Sequence, residues 1–392
     1  MSAADADDDA ATAVVVRQRL ESVLLTANPL PRPEDVVRRL LAVQSQDYAP
    51  ALWSLGQRST GGTERAMHDA VQSGRILRTH VLRPTWHLVL PEDVGWLLAL
   101  TSARVHQLNA FYYRKEGLEE ETFARADEVL AAALAGRRHR TRAELVPLLA
   151  EAGLPVTSFA AAYLLMHAEL EGLICSGERA GRQHTYALLA ERAPAAQALT
   201  RDEALAELAV RYFTGHGPAT AKDLHWWSSL PLRDISAGIS GAGDRLARSE
   251  ADGLVLFSAP PTSSPPTPPE LTRAAPAARV HLLQGYDEYV VGYSESKRLL
   301  DPDGTARDVA RASNRMGQVV LVDGEAAGVW KRTVRRDDVL VEVDLYRPID
   351  AAALLGLRAA ADGFGAFLGK RAELTCALGT NVRAVSPAQP SP

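Results

Sequence analysis

The chain has little of several things, and each shortage removes a class of protein. Only two of its 392 residues are cysteine, Cys175 and Cys376. That excludes a disulfide framework and a cysteine-rich zinc site. No apolar run approaches the roughly 20 residues that cross a bilayer, and the N-terminus lacks the basic-then-apolar pattern of a signal peptide. A cytoplasmic protein with no membrane partner is expected. Lysine is scarce, at positions 115, 222, 297, 331 and 370, so few amines are available for covalent catalysis. Positive charge is short as well, for the formal net charge is −5. Four aspartates in the leader Ala4-Asp-Ala-Asp-Asp-Asp9 carry most of that deficit, and the rest of the chain sits at −1. A near-neutral body can hold a basic face if its charges segregate.

What is present reads as a folded chain of several domains. Hydrophobic residues make up 46% and charged residues 23%, which is globular composition. Val16, Leu20, Val23 and Leu24 mark one helix face, and Pro33 opens a second helix bearing Val36, Val37, Leu40 and Leu41. Glu64–Gln72 reads as a helix stopped by Gly74. Arg75–Leu90 reads as two strands about a tight connection at Arg83-Pro84. Helices followed by a hairpin outline a winged helix. The unit then recurs with a period near 80 residues. Thr141-Arg-Ala-Glu144 is a capping box, echoed by Thr220-Ala-Lys-Asp223, and Glu171-Gly-Leu-Ile174 is echoed by Asp252-Gly-Leu-Val255. Helices are expected near 122–135 and 200–213, with a wing tip at Gly177–Gly181. Residues 259–276 hold seven prolines and form a linker. Beyond it, Val280–Tyr293, Gln318–Trp330 and Val339–Leu345 are β-rich, Asp323-Gly324 marks a turn, and a last helix falls near 350–361.

The expected fold class is therefore α+β, with three tandem winged helices and a small β-barrel-like C-terminal domain. The boundaries are a disordered acidic leader at 1–13, winged helices at 14–118, 119–192 and 193–258, a linker at 259–278, the β-rich domain at 279–385 and a tail at 386–392.

Three constellations carry chemistry. Gln44-Ser-Gln46-Asp47-Tyr48 follows the second helix, and in extended chain residues i and i+2 share a side. Two amides so placed can hold a water or stabilise charge, though neither is a strong base; equally, such residues serve as caps and turns. The hairpin carries Arg75, Arg78, His80, Arg83 and His87, where arginines could grip phosphate or line a solvated face, and His87 suits a core histidine. Arg137, Arg138, His139, Arg140 and Arg142 form the densest basic run, immediately before a capped helix that could meet phosphate. A second cluster contains Arg311, Arg315, Lys331, Arg332, Arg335 and Arg336, with Asp337-Asp338 beside it as possible internal partners. Ser294–Lys297, Gly238–Gly243, Gly369-Lys370, His216 and His225 lack the companions their apparent motifs require.

Leu41-Ala-Val-Gln-Ser-Gln-Asp-Tyr48, Arg78-Thr-His-Val-Leu-Arg-Pro-Thr-Trp-His-Leu88, Gly215-His-Gly-Pro-Ala-Thr220 with Trp226-Trp227, Gly285-Tyr-Asp-Glu-Tyr-Val-Val-Gly292 and Val320–Trp330 occur in an order that resembles a known family. It is the AlkZ/YcaQ-like winged-helix crosslink-repair DNA glycosylases, over roughly 14–385. The resemblance implies three winged helices with a β-barrel, and places the family's catalytic Gln-x-Gln on Gln44 and Gln46. Ser45 departs from the family's apolar middle residue. Asp47 and His87 would support the site. Arg78, Arg83, Arg137, Arg138, Arg140, Arg142, Arg315, Lys331 and Arg332 would hold DNA.

The implied reaction is hydrolysis of the glycosidic bond of N7-alkylated purines, including interstrand crosslinks. Such a purine already carries positive charge and leaves without protonation, so two neutral amides suffice and no metal or cofactor is implied. Scarce lysine favours a monofunctional enzyme that leaves an abasic site. An open cleft would spare a bulky lesion full base flipping. The expected partner is double-stranded DNA with alkylated or crosslinked purines, met by a monomer. A non-catalytic winged-helix regulator or resistance factor fits the same fold, and sequestration of a small genotoxin is a third reading.

Overall fold

A computed structural model describes residues 3–26, 28–193, 198–261, 279–302, 304–307 and 317–378, with side chains from residue 11. Two compact units emerge: Met1–Pro266 together with Tyr286–Lys297, and Thr267–Gly285 together with Arg298–Pro392. Most of the expected linker, Arg315 and the expected tail lie outside the described residues.

The first unit begins with α1 (Ala3–Ser22). The leader expected to be disordered is thus helical from its third residue. Alanine is the strongest helix former, and aspartates are favoured in the first turns beside the positive end of the helix dipole. A set of six elements follows: α2 (Pro33–Leu40), β1 (Ala42–Gln44), α3 (Tyr48–Gly56), α4 (Glu64–Gln72), β2 (Leu77–Val81) and β3 (Arg83–Val89). The sheet order is β1-β3-β2.

Beyond α5 (Pro91–Lys115) the same order returns. It comprises α6 (Glu120–Leu134), β4 (Arg140–Thr141), α7 (Arg142–Glu151), α8 (Ser158–Leu170), β5 (Ile174–Ser176) and β6 (Thr185–Leu188). Here the sheet runs β4-β6-β5. After α9 (Leu189–Arg192) it returns again as α10 (Arg201–His216), α11 (Ala221–Ser228), α12 (Leu232–Ala242), β7 (Ala247–Ala251) and β8 (Leu254–Ser258). In this third set a single bridge, Ala219 to Phe257, stands where the other two have their first strand. The short α13 (Glu288–Val291) completes the unit.

Local signals account for the boundaries. Pro33 sits in the first turn of α2, and Thr63 caps α4 by accepting from the Ala66 amide. Full capping boxes open α7 at Thr141/Glu144 and α11 at Thr220/Asp223, as the sequence predicts, and a third opens α10 at Thr200/Glu203. Two cores result. Leu41, Leu77, Val89, Leu97, Tyr212, Phe213 and Trp227 merge the first and third sets into one cluster. Phe123, Leu130, Leu145, Leu149, Leu164, Ile174 and Tyr186 form a core belonging to the second. Each such fully buried side chain contributes roughly 1.5–3 kcal/mol.

The second unit is an open sheet in the order β13-β12-β11-β10-β9. Its strands are β9 (Val280–Leu283), β10 (Gln318–Val322), β11 (Glu325–Val334), β12 (Asp338–Leu345) and β13 (Arg371–Leu378), and α14 (Ala351–Phe367) links the last two. This corrects the expected barrel: β9 and β13 are the two ends of the sheet and pair with no further strand among the described residues. A parallel β12–α14–β13 crossover lays a helix on one face instead. Val339, Val341, Val343 and Leu345 alternate inward on β12, and Trp330 meets Phe364 of α14 edge-on at 5.2 Å. The predicted turn is present, with Asp323 and Gly324 both at positive φ. One boundary also moves. The β-rich reading of Val280–Tyr293 stops at Leu283, and Tyr286–Lys297 returns to the first unit, where buried partners await its carboxylates.

Candidate active site

Gln44 closes β1, opposite His87 on β3, and Gln46 lies two residues further, in the bend that leads to α3. The helix before them ends at Leu40, and Leu41 turns the chain at φ 66°. Both glutamines lean on β3 but differ in burial. Gln44 is 4% exposed and its Oε1 accepts from Arg83 Nη2 at 2.6 Å. Gln46 is exposed, and its Oε1 is 3.5 Å from the Trp86 amide.

The backbone here is clamped from two sides. On one, Glu288 Oε1 accepts from the Gln44 amide at 2.7 Å, while its Oε2 accepts from Trp227 Nε1 at 2.8 Å and His216 Nε2 at 3.1 Å. Burial pushes this carboxyl up, but those donors outweigh it and hold it below the ordinary carboxylate range. Its neighbour Asp287 is likewise buried and is held down by Arg58, 2.7 Å away, with Ser54 donating as well. On the other side, Arg78 donates to the Ser45 carbonyl at 2.8 and 3.1 Å and to that of Gln46 at 3.3 Å. Its guanidinium lies 3.5 Å from the centroid of the Trp86 ring.

Arg78 was expected to hold phosphate. It is buried, and its Nε and Nη2 donate to the motif's own carbonyls, which places it against the loop. Burial lowers its pKa to about 10, which leaves it charged at neutral pH. Arg83 is half-buried and turned to Gln44. His87 is wholly buried, its Nδ1 lies 3.0 Å from the Thr85 carbonyl, and burial with the nearby Arg83 charge pushes it down to about 3. A neutral imidazole at physiological pH is no general acid. Asp47 is exposed at the N-cap of α3, without a capping bond. Ser45 is buried and its hydroxyl has no hydrogen-bond partner, which is the environment an apolar residue would suit.

The other basic residues are distributed unevenly. Arg137 and Arg138 are exposed just before β4. Arg140 Nε donates to the Ala133 carbonyl, and Arg142 to that of Ser158. Lys331 is exposed on β11, while Arg332 is half-buried, reaching Gln318 at 3.2 Å. Arg335 pairs with Asp338 and Glu373, so that cluster partly neutralises itself.

Sequence reasoning missed the clamp's outer members. Glu288, His216 and Trp227 each lie in a stretch that carries the family resemblance, but nothing in their spacing shows that they meet. Tyr48 was missed as a ring held between Arg78 and Arg179, at 5.8 and 4.3 Å. Arg179 comes from the wing between β5 and β6, and its amide donates to Gln72 of α4.

A repeated helix–strand–helix–helix–strand–strand order, with a clamped amide motif and an exposed basic edge, suits a protein that handles DNA. The class is a DNA glycosylase. The family model described as "DNA glycosylase AlkZ-like" matches residues 37–367, and the chain belongs to that family. A curated relative from Streptomyces sahachiroi, "Interstrand DNA cross-link repair glycosylase", is 25% identical over 323 residues, covering 80% of this chain and 85% of the relative. The solved structure "Streptomyces sahachiroi DNA glycosylase AlkZ" superposes with a TM-score of 0.76 at 23% identity, over 94% of this chain and 99% of that one, and so shares its fold.

Proposed function

We propose that the chain hydrolyses the N-glycosidic bond of N7-alkylated purines in duplex DNA, interstrand crosslinks included, without a metal, and releases an abasic site. The three repeated sets act as tandem winged helices. The observation that carries this reading is the unequal amide pair. Gln44 is pinned by Arg83 and by Glu288, and its amide nitrogen carries two N–H donors. Gln46 offers an exposed carbonyl two residues away. A water that donates to Gln46 and accepts from Gln44 keeps one lone pair for C1′. As the C1′–N9 bond breaks, the cationic purine leaves neutral and needs no proton. That matches a site in which His87, opposite Gln44, is held unprotonated. Oriented amide dipoles then stabilise the oxocarbenium-like sugar, which a fixed environment does at no reorganisation cost.

Arg137 and Arg138 would meet phosphate, as would Arg142 and Lys331, a reading supported by the exposure of all four. The test incubates the protein with duplex containing N7-methylguanine and scores strand breaks after alkali. Gln44→Ala/Gln46→Ala should abolish release while leaving DNA binding within a few-fold. No release from this duplex or a crosslinked one overturns the proposal, and salt-dependent binding indifferent to both glutamines would favour a non-catalytic DNA binder.

Lys297 favours a second reading on one point. Burial and the nearby Arg83 charge lower its pKa, the condition for an amine that attacks an abasic sugar. Borohydride trapping decides it: a covalent protein–DNA adduct lost in Lys297→Ala means a bifunctional enzyme, and no adduct means a monofunctional one.

A further inference from the structure

Among the described residues one group of side chains outside the glutamine site has the makings of a metal centre. His106 lies on α5, His167 on α8, and Glu171 caps α8 one turn later. One ligand atom from each lies within 4.8 Å of the other two. His106 Nε2 is already 2.9 Å from Glu171 Oε1.

Both imidazoles are oriented from behind. His106 Nδ1 is 3.0 Å from the Tyr113 hydroxyl, which also takes Asn109 Nδ2 at 3.4 Å. His167 Nδ1 is buried without a hydrogen-bond partner, 3.8 Å from Asp127 Oδ2 on α6. Phe123 stacks on the His167 ring at 3.9 Å and 9°, fixing its plane. Metal-binding histidines present one nitrogen to the ion and the other to an outer oxygen; His106 has that oxygen in Tyr113, and His167 has Asp127 Oδ2 near its Nδ1 but beyond hydrogen-bond distance. Asp127 Oδ1 is also buried and unpartnered.

We propose that His106, His167 and Glu171 bind a divalent transition-metal ion of the zinc type, with Tyr113 and Asp127 orienting the two rings. Two imidazoles and a carboxylate select a borderline cation over magnesium or calcium. Three protein ligands leave a fourth position for water. Binding moves the His106 proton from Nε2 to Nδ1, which then donates to the Tyr113 oxygen, and replaces the His106–Glu171 hydrogen bond by two bonds to the ion. The ion staples α5, which joins the first and second repeats, to the end of α8. None of its ligands belongs to the glutamine site, so base release is not routed through it.

The test titrates the full chain, stripped with chelator, with Co²⁺ followed by visible absorption and with Zn²⁺ followed by calorimetry. One ion per chain, a low-symmetry cobalt spectrum and a higher Tm with Zn²⁺ are expected. His106→Ala or His167→Ala should weaken binding at least about 100-fold, and Asp127→Asn about 10-fold. Glu171→Gln serves as the variant sure to fold, because its side chain is 50% exposed; it should weaken binding at least about 10-fold. Absence of a cobalt spectrum overturns the proposal. So does Zn²⁺ affinity unchanged in Glu171→Gln, or in a His106→Ala/His167→Ala protein that keeps wild-type circular dichroism.

Discussion

The first and second repeats share an order of elements but spend their arginines in opposite directions. In the first, Arg78 is folded under Trp86 and holds the carbonyls of Ser45 and Gln46. In the second, Arg137 and Arg138 stand exposed just ahead of a capped helix. The difference lies in what covers each hairpin. Every residue of β2 is buried, with β5 and α8 of the second repeat packed on it, so a cation there must find acceptors inside the protein. The stretch before β4 has no such cover. One repeat thus builds the motif, and its neighbour leaves two arginines exposed to solvent.

The sharpest way to break this contrast is at the clamp. Glu288→Ala strands the Gln44 amide, Trp227 Nε1 and His216 Nε2 together. Stability should fall on the order of 3 kcal/mol in urea melts, and base release about 100-fold, as expected for a misplaced reacting group. Arg78→Ala should come next, costing about 2 kcal/mol through lost bonds and stacking, with base release falling more than DNA affinity. Arg137→Ala/Arg138→Ala should do the reverse: stability within about 0.5 kcal/mol, weaker DNA binding, and a salt slope reduced by about 1 to 2.

Acid should expose the clamp too. Asp287 and Glu288 are held below the ordinary carboxylate range, and His87 is pushed down to about 3. In each case the folded chain refuses protons that the unfolded chain accepts. The stability they confer is complete above the unfolded histidine value of about 6.5 and drains away as pH falls toward the folded values. The urea midpoint should therefore drop on acidification from pH 7, and His87→Gln should flatten the upper part of that limb. The smallest effect is expected at Ser45. Ser45→Ala removes a buried hydroxyl without a partner and should leave stability unchanged or raise it by up to about 1 kcal/mol. A loss above 1 kcal/mol would show that the hydroxyl is satisfied.

Signals that act within a few residues were legible. Thr141/Glu144 and Thr220/Asp223 form the boxes their spacing announces, and the expected pair of strands forms, although the connection falls at Leu82, at φ 66°, and Arg83-Pro84 belongs to β3. The place of the glutamine motif just after the second helix was legible, with Gln44 closing β1 and Gln46 in the bend that follows. Its burial asymmetry was not, because Gln44 and Gln46 look alike until a partner 244 residues away takes the Gln44 amide. Arg78 could not be oriented from sequence, since β2 is buried along its whole length and shows no alternation. The expected barrel failed for a related reason. Strand-forming residues reveal a sheet but not whether its edges meet, and the α14 crossover sends β13 parallel to β12.

The return of Tyr286–Lys297 to the first unit bears on how the protein is made. Gln44 and Gln46 leave the ribosome early, yet the carboxylate that fastens Gln44 is synthesised only after the whole of the third repeat and the proline-rich stretch. A nascent chain that stops short of residue 288 lacks the acceptor of the Gln44 backbone amide. The motif is thus fastened only late in translation, by a residue on the far side of two repeats.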